Sequence, residues 1–404
     1  MRSIDTRFRH VLRALWDGGR GWILVFVALG WFLTLGTRFV FPALFPHLRD
    51  AFALDLATLG ALYTLLWATY GIGQFPAGIV GDRIGDRRSL ILSTALSAGA
   101  VVVVMVAIGP WGLAVGMILF GVTSALYGPA RFTVLNRVYP DYDGTAMGIS
   151  ESFGQIGNAA LPALAGVLAT MFVWQAGFLY LVPLFAIVAV GLWLVPSDYD
   201  EQTATGGDAT TSRSIRELVA SVCFPLSLLL AVVLALVMFI IQGATGFYPT
   251  YLVDVKGFPL GTASILFGLL FASGALIQPI AGAISDTFGA RRTLFVMLGT
   301  LVVGLLLVPV ATTVVHFIFV TVLLGSAPGT IPVIFSRMTS ALPADVRGTG
   351  LGLLRTGSFL VASTGSFVVG NMADVGLFDE AFVLLAILAV AAFVVTIVLG
   401  RTNA

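Results

Sequence analysis

Nine stretches of 17 to 46 residues without a single Asp, Glu, Lys or Arg run along this chain: 21–37, 56–81, 89–130, 152–197, 218–253, 257–285, 293–336, 356–373 and 381–400. Soluble domains carry about 25% charged residues, whereas here 10% of 404 residues are charged and 58% are hydrophobic. A water-soluble globule is excluded. A bilayer-crossing helix uses roughly 20 residues, so the apolar content is enough for about ten to twelve crossings. Three of the stretches, of 42, 46 and 44 residues, are too long for one crossing. Each splits as a helical hairpin, at Gly109-Pro110-Trp111-Gly112, near Phe172 to Gln175 and near Thr312 to His316. Twelve helices are expected, over about 21–48, 56–80, 89–108, 113–135, 144–171, 176–195, 224–252, 258–283, 293–312, 316–337, 348–370 and 381–400.

The arginines orient them. Short cytoplasmic loops accumulate Lys and Arg. With the N-terminus inside, sixteen basic residues fall on the cytoplasmic side, including Arg20, Arg83, Arg87, Arg88, Arg137, Arg291, Arg292 and Arg337, and only Arg49 and Lys256 fall outside. Residues 1–20 read as a cytoplasmic segment and 401–404 as a cytoplasmic tail, which places a multi-pass protein in the plasma membrane with both termini inside. The polar stretch 196–223 is a linker that divides the chain into a 21–195 half and a 224–400 half. A formal charge of +1 gives no basic surface for nucleic acid. One cysteine, Cys223, and three scattered histidines, His10, His47 and His316, give no metal site, and no cofactor is expected.

The two halves repeat. A shift of 204 residues brings Gln74, Gly78, Asp82, Gly85, Arg87 and Arg88 onto Gln278, Gly282, Asp286, Gly289, Arg291 and Arg292. The same shift places Asp141, Gly144, Thr145, Gly148 and Gly166 on Asp345, Gly348, Thr349, Gly352 and Gly370, with no gap. Parallel duplication of six helices is an architecture of secondary transporters, whose halves rock around a midplane site.

The run Gly78-Ile79-Val80-Gly81-Asp82-Arg83-Ile84-Gly85-Asp86-Arg87-Arg88, repeated over Gly282 to Arg292 with Thr287 in place of Arg83, resembles the loop between helices two and three of the major facilitator superfamily. The resemblance covers nearly the whole chain. It implies an all-α fold of two pseudo-symmetric six-helix bundles, a cavity lined by helices one, four, seven and ten, and two Gly-Asp-Arg loops that latch the outward-facing state. The alternative reading of these loops is that their charges only set topology.

Four ionisable residues remain inside spans: Arg38, Arg131, Glu151 and Arg355. Each costs at least a few kcal/mol there unless paired or hydrated, so each is a functional candidate. Their positive excess in a water-filled cavity attracts an anion. Arg38 lies nine residues before His47, about 13 Å along the helix, too deep to reach the surface. The segment from Arg38 to Gly85 resembles the anion:cation symporter branch, whose first helix carries an arginine that engages an anionic substrate; the Asp that flanks it in that branch is absent here, where Gly36-Thr37 precedes. Under the 204 shift Arg38 faces Gln242 on helix seven, and the pair suits a carboxylate or phosphate. A structural role for Arg38 against helix-end carbonyls is the competing reading. Tyr248 and Tyr127 are further candidate substrate contacts, Tyr248 orienting the anion with Gln242.

Glu151, Gln155 and Asn158 are spaced i, i+4, i+7 and form a polar stripe on helix five. Arg131 lies at similar depth on helix four. An Arg131–Glu151 pair removes both desolvation penalties; alternatively Glu151 is a proton carrier whose protonation breaks that pair. Arg355 occupies the position equivalent to Glu151 in the second half.

No Ser-Lys dyad, paired Asp or H-E-x-x-H lies in the spans, which argues against an enzyme, and no segment reads as a channel filter. The short tail argues against a receptor or scaffold. A monomeric carrier of a small organic anion, working by alternating access with proton symport, is expected. Gly148, Gly157, Pro162 and Gly166 match four of six positions of the antiporter motif G-x8-G-x3-G-P-x2-G-G, so a drug:proton antiporter is the alternative.

Overall fold

The computed structural model describes residue 16 and residues 20–195, 225–341 and 347–399. The expected N-terminal segment lies almost wholly, and the linker and tail wholly, outside the described residues. Within them the chain forms twelve helices and no strand: α1 (Gly21–Phe52), α2 (Leu56–Ile84), α3 (Asp86–Met105), α4 (Pro110–Ala125 and Tyr127–Val138), α5 (Asp143–Met171), α6 (Ala176–Leu179 and Leu181–Leu194), α7 (Pro225–Asp254), α8 (Leu260–Phe288), α9 (Ala290–Val310), α10 (Val314–Leu324 and Ser326–Ala341), α11 (Arg347–Ser363 and Gly365–Asp374) and α12 (Phe378–Leu399). Leu126, Tyr180, Gly325 and Thr364, which interrupt four of them, all keep right-handed helical dihedrals. Ten of the helices are long and apolar enough to cross a membrane. The two that fall short, α5 and α11, carry Glu151 and Arg355, and internal packing rather than lipid covers such polar stripes.

The helices run several residues past the apolar spans, because a polar sequence alone does not stop a helix. This corrects the expected loops. Gly78 to Ile84 is the last part of α2, Asp86 to Arg88 is the start of α3, and the connection is Gly85 alone. Gly85 has φ 90° and ψ 144°, and Gly289 has φ 88° and ψ 144°. Only glycine adopts that region freely. The 204-residue repeat therefore extends to matching backbone angles at its two corners. The side chains of Asp82 and Asp286 lie outside the described residues.

Other ends are held by side chains. Asp55 caps α2 by accepting from the Thr58 backbone N–H at 2.7 Å, and its bonds to the Thr58 hydroxyl and amide hold its carboxyl below the usual carboxylate range. Arg87 donates to the Leu192, Trp193 and Val195 carbonyls at the end of α6, where a cation meets the negative end of the helix dipole. Arg137 of α4 donates to Asp86 at 3.4 Å. Arg83, Arg88, Arg291 and Arg292 are exposed.

The halves meet along α1–α7, α2–α11 and α5–α8. At one end the junction is closed. Arg49 pairs with Asp254, the Asp374 carboxylate accepts from the Leu56 and Ala57 amides at 2.8 and 2.6 Å, and the Phe45 and Phe247 rings lie 5.5 Å apart. Toward mid-depth a methyl group added to Gly166 would lie 1.8 Å from the Ser264 hydroxyl oxygen, and one on Gly268 would lie 2.6 Å from the Ala159 carbonyl oxygen. At the Gly85 and Gly289 end the helices separate: a methyl on Gly78, Gly144, Gly148 or Gly282 would meet nothing within 4 Å.

Candidate functional site

Trp31, Leu35 and Arg38 follow one another at i, i+4 and i+7, so α1 turns a single face toward the junction of the halves. That face walls a cavity of about 340 Å³, which α2 closes with Trp67 and Tyr70, α5 with Glu151, Gln155 and Asn158, α7 with Gln242, α10 with Phe335 and α11 with Arg355. A second space of about 1000 Å³ between α5 and α8 shares Glu151, Gln155, Gln278 and Pro332 with it and reaches Gly148 and Gly282. The cavity thus continues toward the open end, with Glu151 at the join.

Arg38 is 1% exposed, and its guanidinium lies 3.5 Å from the ring centroid of Tyr70, 5.2 Å from Trp67 and 6.0 Å from Trp31. Ring faces attract the cation but accept no strong hydrogen bonds. Its Nε and Nη2 have no partner, and no carboxylate among the described residues forms an ion pair with it. The Gln242 Oε1 is likewise buried without a partner. Buried guanidinium donors ordinarily find acceptors, and two free donors on a cavity wall are a place for an anion to complete the set.

Arg131 and Glu151 are paired. Both terminal guanidinium nitrogens of Arg131, Nη1 and Nη2, donate to Glu151 Oε2 at 3.2 Å, as does Trp31 Nε1, and Arg131 Nη1 also reaches Ser150 Oγ at 3.2 Å. Arg131 is buried, its Cζ 3.9 Å from the Trp31 ring centroid. The Glu151 side chain is 45% exposed to the cavity. Gln155 Nε2 donates to Glu151 Oε1 at 3.4 Å, and Asn158 Nδ2 to Gln155 Oε1 at 3.3 Å. Arg355 is exposed on the opposite wall, 5.4 Å from Phe335 and 5.6 Å from Phe359. Three arginines against one carboxylate leave the site with an excess of two positive charges.

Tyr248 and Tyr127 are not on the cavity. The Tyr248 hydroxyl bonds Thr321 of α10 within the second half. Six residues at about 100° each turn Tyr248 roughly 120° from Gln242, away from the cavity. Tyr127 sits behind Trp31, stacked at 6.3 Å, and its hydroxyl donates to the Val27 carbonyl at 2.9 Å. The aromatic box of Trp31, Trp67 and Tyr70 is not among the residues expected from the sequence, although Trp31 shares the Arg38 face and Trp67 and Tyr70 are spaced i, i+3.

The Major Facilitator Superfamily model matches residues 26–277 and 260–404. A hexuronate transporter of Bacillus subtilis is 22% identical over 275 residues, 65% of this chain and 64% of that one. The membrane sensor protein UhpC of Escherichia coli K12 is 28% identical over 221 residues, 50% of this chain and 44% of its own. The chain thus spans less than two thirds of either relative. Among solved structures, a bacterial homologue of the human lysosomal transporter Spinster, crystallised in an inward-facing and unoccupied conformation, matches with a TM-score of 0.79 at 16% identity, over 96% of this chain and 98% of that one.

Proposed function

This chain belongs to the Major Facilitator Superfamily of multi-pass membrane transporters, and we propose that it carries a small organic anion, a carboxylate or organophosphate, by alternating access. The observation that carries this reading is Arg38: a buried cation with two unpartnered donors, facing Gln242 and Arg355 across a closed-ended cavity. An anion there gains bidentate hydrogen bonds and removes an unpaired charge. By the positive-inside rule the Gly85 and Gly289 end is cytoplasmic, both termini are inside, and the form described is open to the cytoplasm and sealed at Arg49. The halves 21–195 and 224–400 are the rocking bodies, and when they tilt the corners at Gly85 and Gly289 approach and latch the outward-facing form. The protein works as a monomer in the plasma membrane. Protons drive uptake, with Glu151 as the proton carrier and Arg131 as its ion-pair partner.

The test is uptake into proteoliposomes from a panel of carboxylates and organophosphates, with and without an inward proton gradient, beside Arg38→Gln. Accumulation of one anion, enhanced by the gradient and lost in the variant while the protein stays folded, supports the reading. The glycine pattern on α5 and the apolar cleft beside Glu151 favour one other reading, a drug:proton antiporter; efflux of lipophilic cations that depends on Glu151, without anion uptake, would establish it.

A further inference from the structure

The stripe Glu151, Gln155 and Asn158 is more than a row of polar side chains, because its hydrogen bonds have a direction. Glu151 Oε2 is occupied by three N–H donors, from Arg131 twice and from Trp31, so only Oε1 is left to meet Gln155. A carboxylate only accepts, so Gln155 turns its Nε2 to Glu151 and its Oε1 to Asn158. Asn158 then gives its Nδ2 to Gln155, and its own Oδ1 is left buried and unpartnered on a residue that lines the cavity. An ionised Glu151 thus makes the wall at Asn158 an acceptor, which repels an anion.

We propose that Gln155 and Asn158 are a polarity relay: when Glu151 binds a proton, both amides turn over and the cavity receives an N–H donor in place of the oxygen. The reading rests on Glu151 as the proton site proposed above. The proton comes from cavity water and goes to Oε1, the oxygen with room for it, forming one O–H bond and breaking none in the protein. That O–H is a donor facing Gln155 Nε2, a clash of two donors. Rotation of Gln155 by half a turn brings its Oε1 to the carboxyl and its Nε2 to Asn158. Asn158 follows, its Oδ1 accepting from Gln155 and its Nδ2 pointing into the cavity. The groups facing Glu151 from neighbouring helices are Arg131 on α4, Arg38 on α1 and Arg355 on α11, with the neutral Gln278 on α8 and Gln242 on α7. The amides are the elements that reverse sign. One proton then removes a negative charge and adds a donor beside the anion, and by linkage the anion raises proton affinity by the same factor, roughly 5- to 150-fold for ordinary coupled sites. Gln155 and Asn158 are positioning residues whose orientation couples the two ligands.

Infrared difference spectra between acidic and neutral pH, on the full chain in lipid without ligand, test this. The expected spectrum shows a carboxyl C=O band that Glu151→Gln abolishes, together with side-chain amide bands from Gln155 and Asn158. Gln155→Leu should keep the carboxyl band and lose both amide components; Asn158→Leu should lose only its own, and serves if Gln155→Leu does not fold. A Glu151-dependent carboxyl band without those amide bands overturns the relay and leaves Glu151 as the proton site. Absence of any Glu151-dependent band overturns both readings.

Discussion

The guanidinium of Arg38 lies 3.5 Å from the ring centroid of Tyr70, one helix away, and this ring takes the place that a carboxylate fills in an ordinary buried ion pair. A cation held by ring faces stays charged yet keeps its directed donors free. The chain therefore keeps a cation with unmet donors on the wall of its cavity, and on the function proposed above a mobile anion completes them.

Replacing Arg38 by Gln should accordingly separate stability from transport. Removing a buried hydrogen-bonded charge from a bound pair costs about 2–5 kcal/mol, so substrate affinity should fall by roughly 30-fold or more. In the absence of ligand the same change removes an unpaired buried cation, and the unfolding midpoint in detergent should rise. Lys at this position should not restore affinity, since it lacks the planar fork. Uptake kinetics and thermal unfolding on the same preparations check both parts.

Glu151→Gln should act in the opposite direction on stability. It strips Arg131, which is 2% exposed, of its carboxylate partner. Breaking a fully buried pair costs about 3–5 kcal/mol, and the half-exposed Glu151 lowers this to about 1–3 kcal/mol. The double variant Arg131→Met, Glu151→Leu should recover most of the loss. A double-mutant cycle on unfolding midpoints measures the coupling, and additive single effects would exclude a coupled pair.

Gly85→Ala and Gly289→Ala should destabilise the protein by similar amounts, about 1–3 kcal/mol each, because both corners hold nearly the same left-handed backbone. Nothing lies within 4 Å of either added methyl, so the effect is conformational strain alone. Thermal melts of the two variants should coincide within error.

Asp374→Asn weakens the seal at the Arg49 end, where the carboxylate accepts from two backbone amides of α2. A carboxylate cap contributes about 0.5–2 kcal/mol, and 1.4 kcal/mol moves a two-state equilibrium tenfold. Spin labels on the outer ends of α2 and α11 should show a larger population of separated distances in the variant. Arg49→Ala should move the population less, since exposed ion pairs contribute about 0.2–1 kcal/mol.

Most of the fold was legible because a bilayer allows few solutions: the charge-free intervals count the helices, and the 204-residue shift pairs them. Helix ends were less legible, since helices continue past the apolar core until a backbone such as Gly85 turns them. At the site, Arg38, Arg131, Glu151 and Arg355 declared themselves as charges in an apolar chain, and the i, i+4, i+7 spacing on α5 gave its stripe. Tyr248 lies off the cavity because six residues of α7 turn it about 120° from Gln242, a phase that residue type alone does not reveal. Tyr127 misled for a different reason: it lies near the Arg131 face, but Trp31 is interposed. The box around Arg38 escaped because aromatic residues on membrane helices are common, and only proximity to a cation distinguishes these.

The close approach of α5 and α8 has a meaning for how such a molecule can change its cargo. Gly166 against Ser264 and Gly268 against Ala159 leave no room for a methyl group at either glycine, so on the function proposed above this seam is the fulcrum on which the halves roll. The seam lies on one face of α5, while Glu151, Gln155 and Asn158 belong to the cavity. On that reading bearing and cargo hold occupy different positions of one helix, so a substitution at Gln155 or Asn158 can alter the second while Ala159 and Gly166 keep the first.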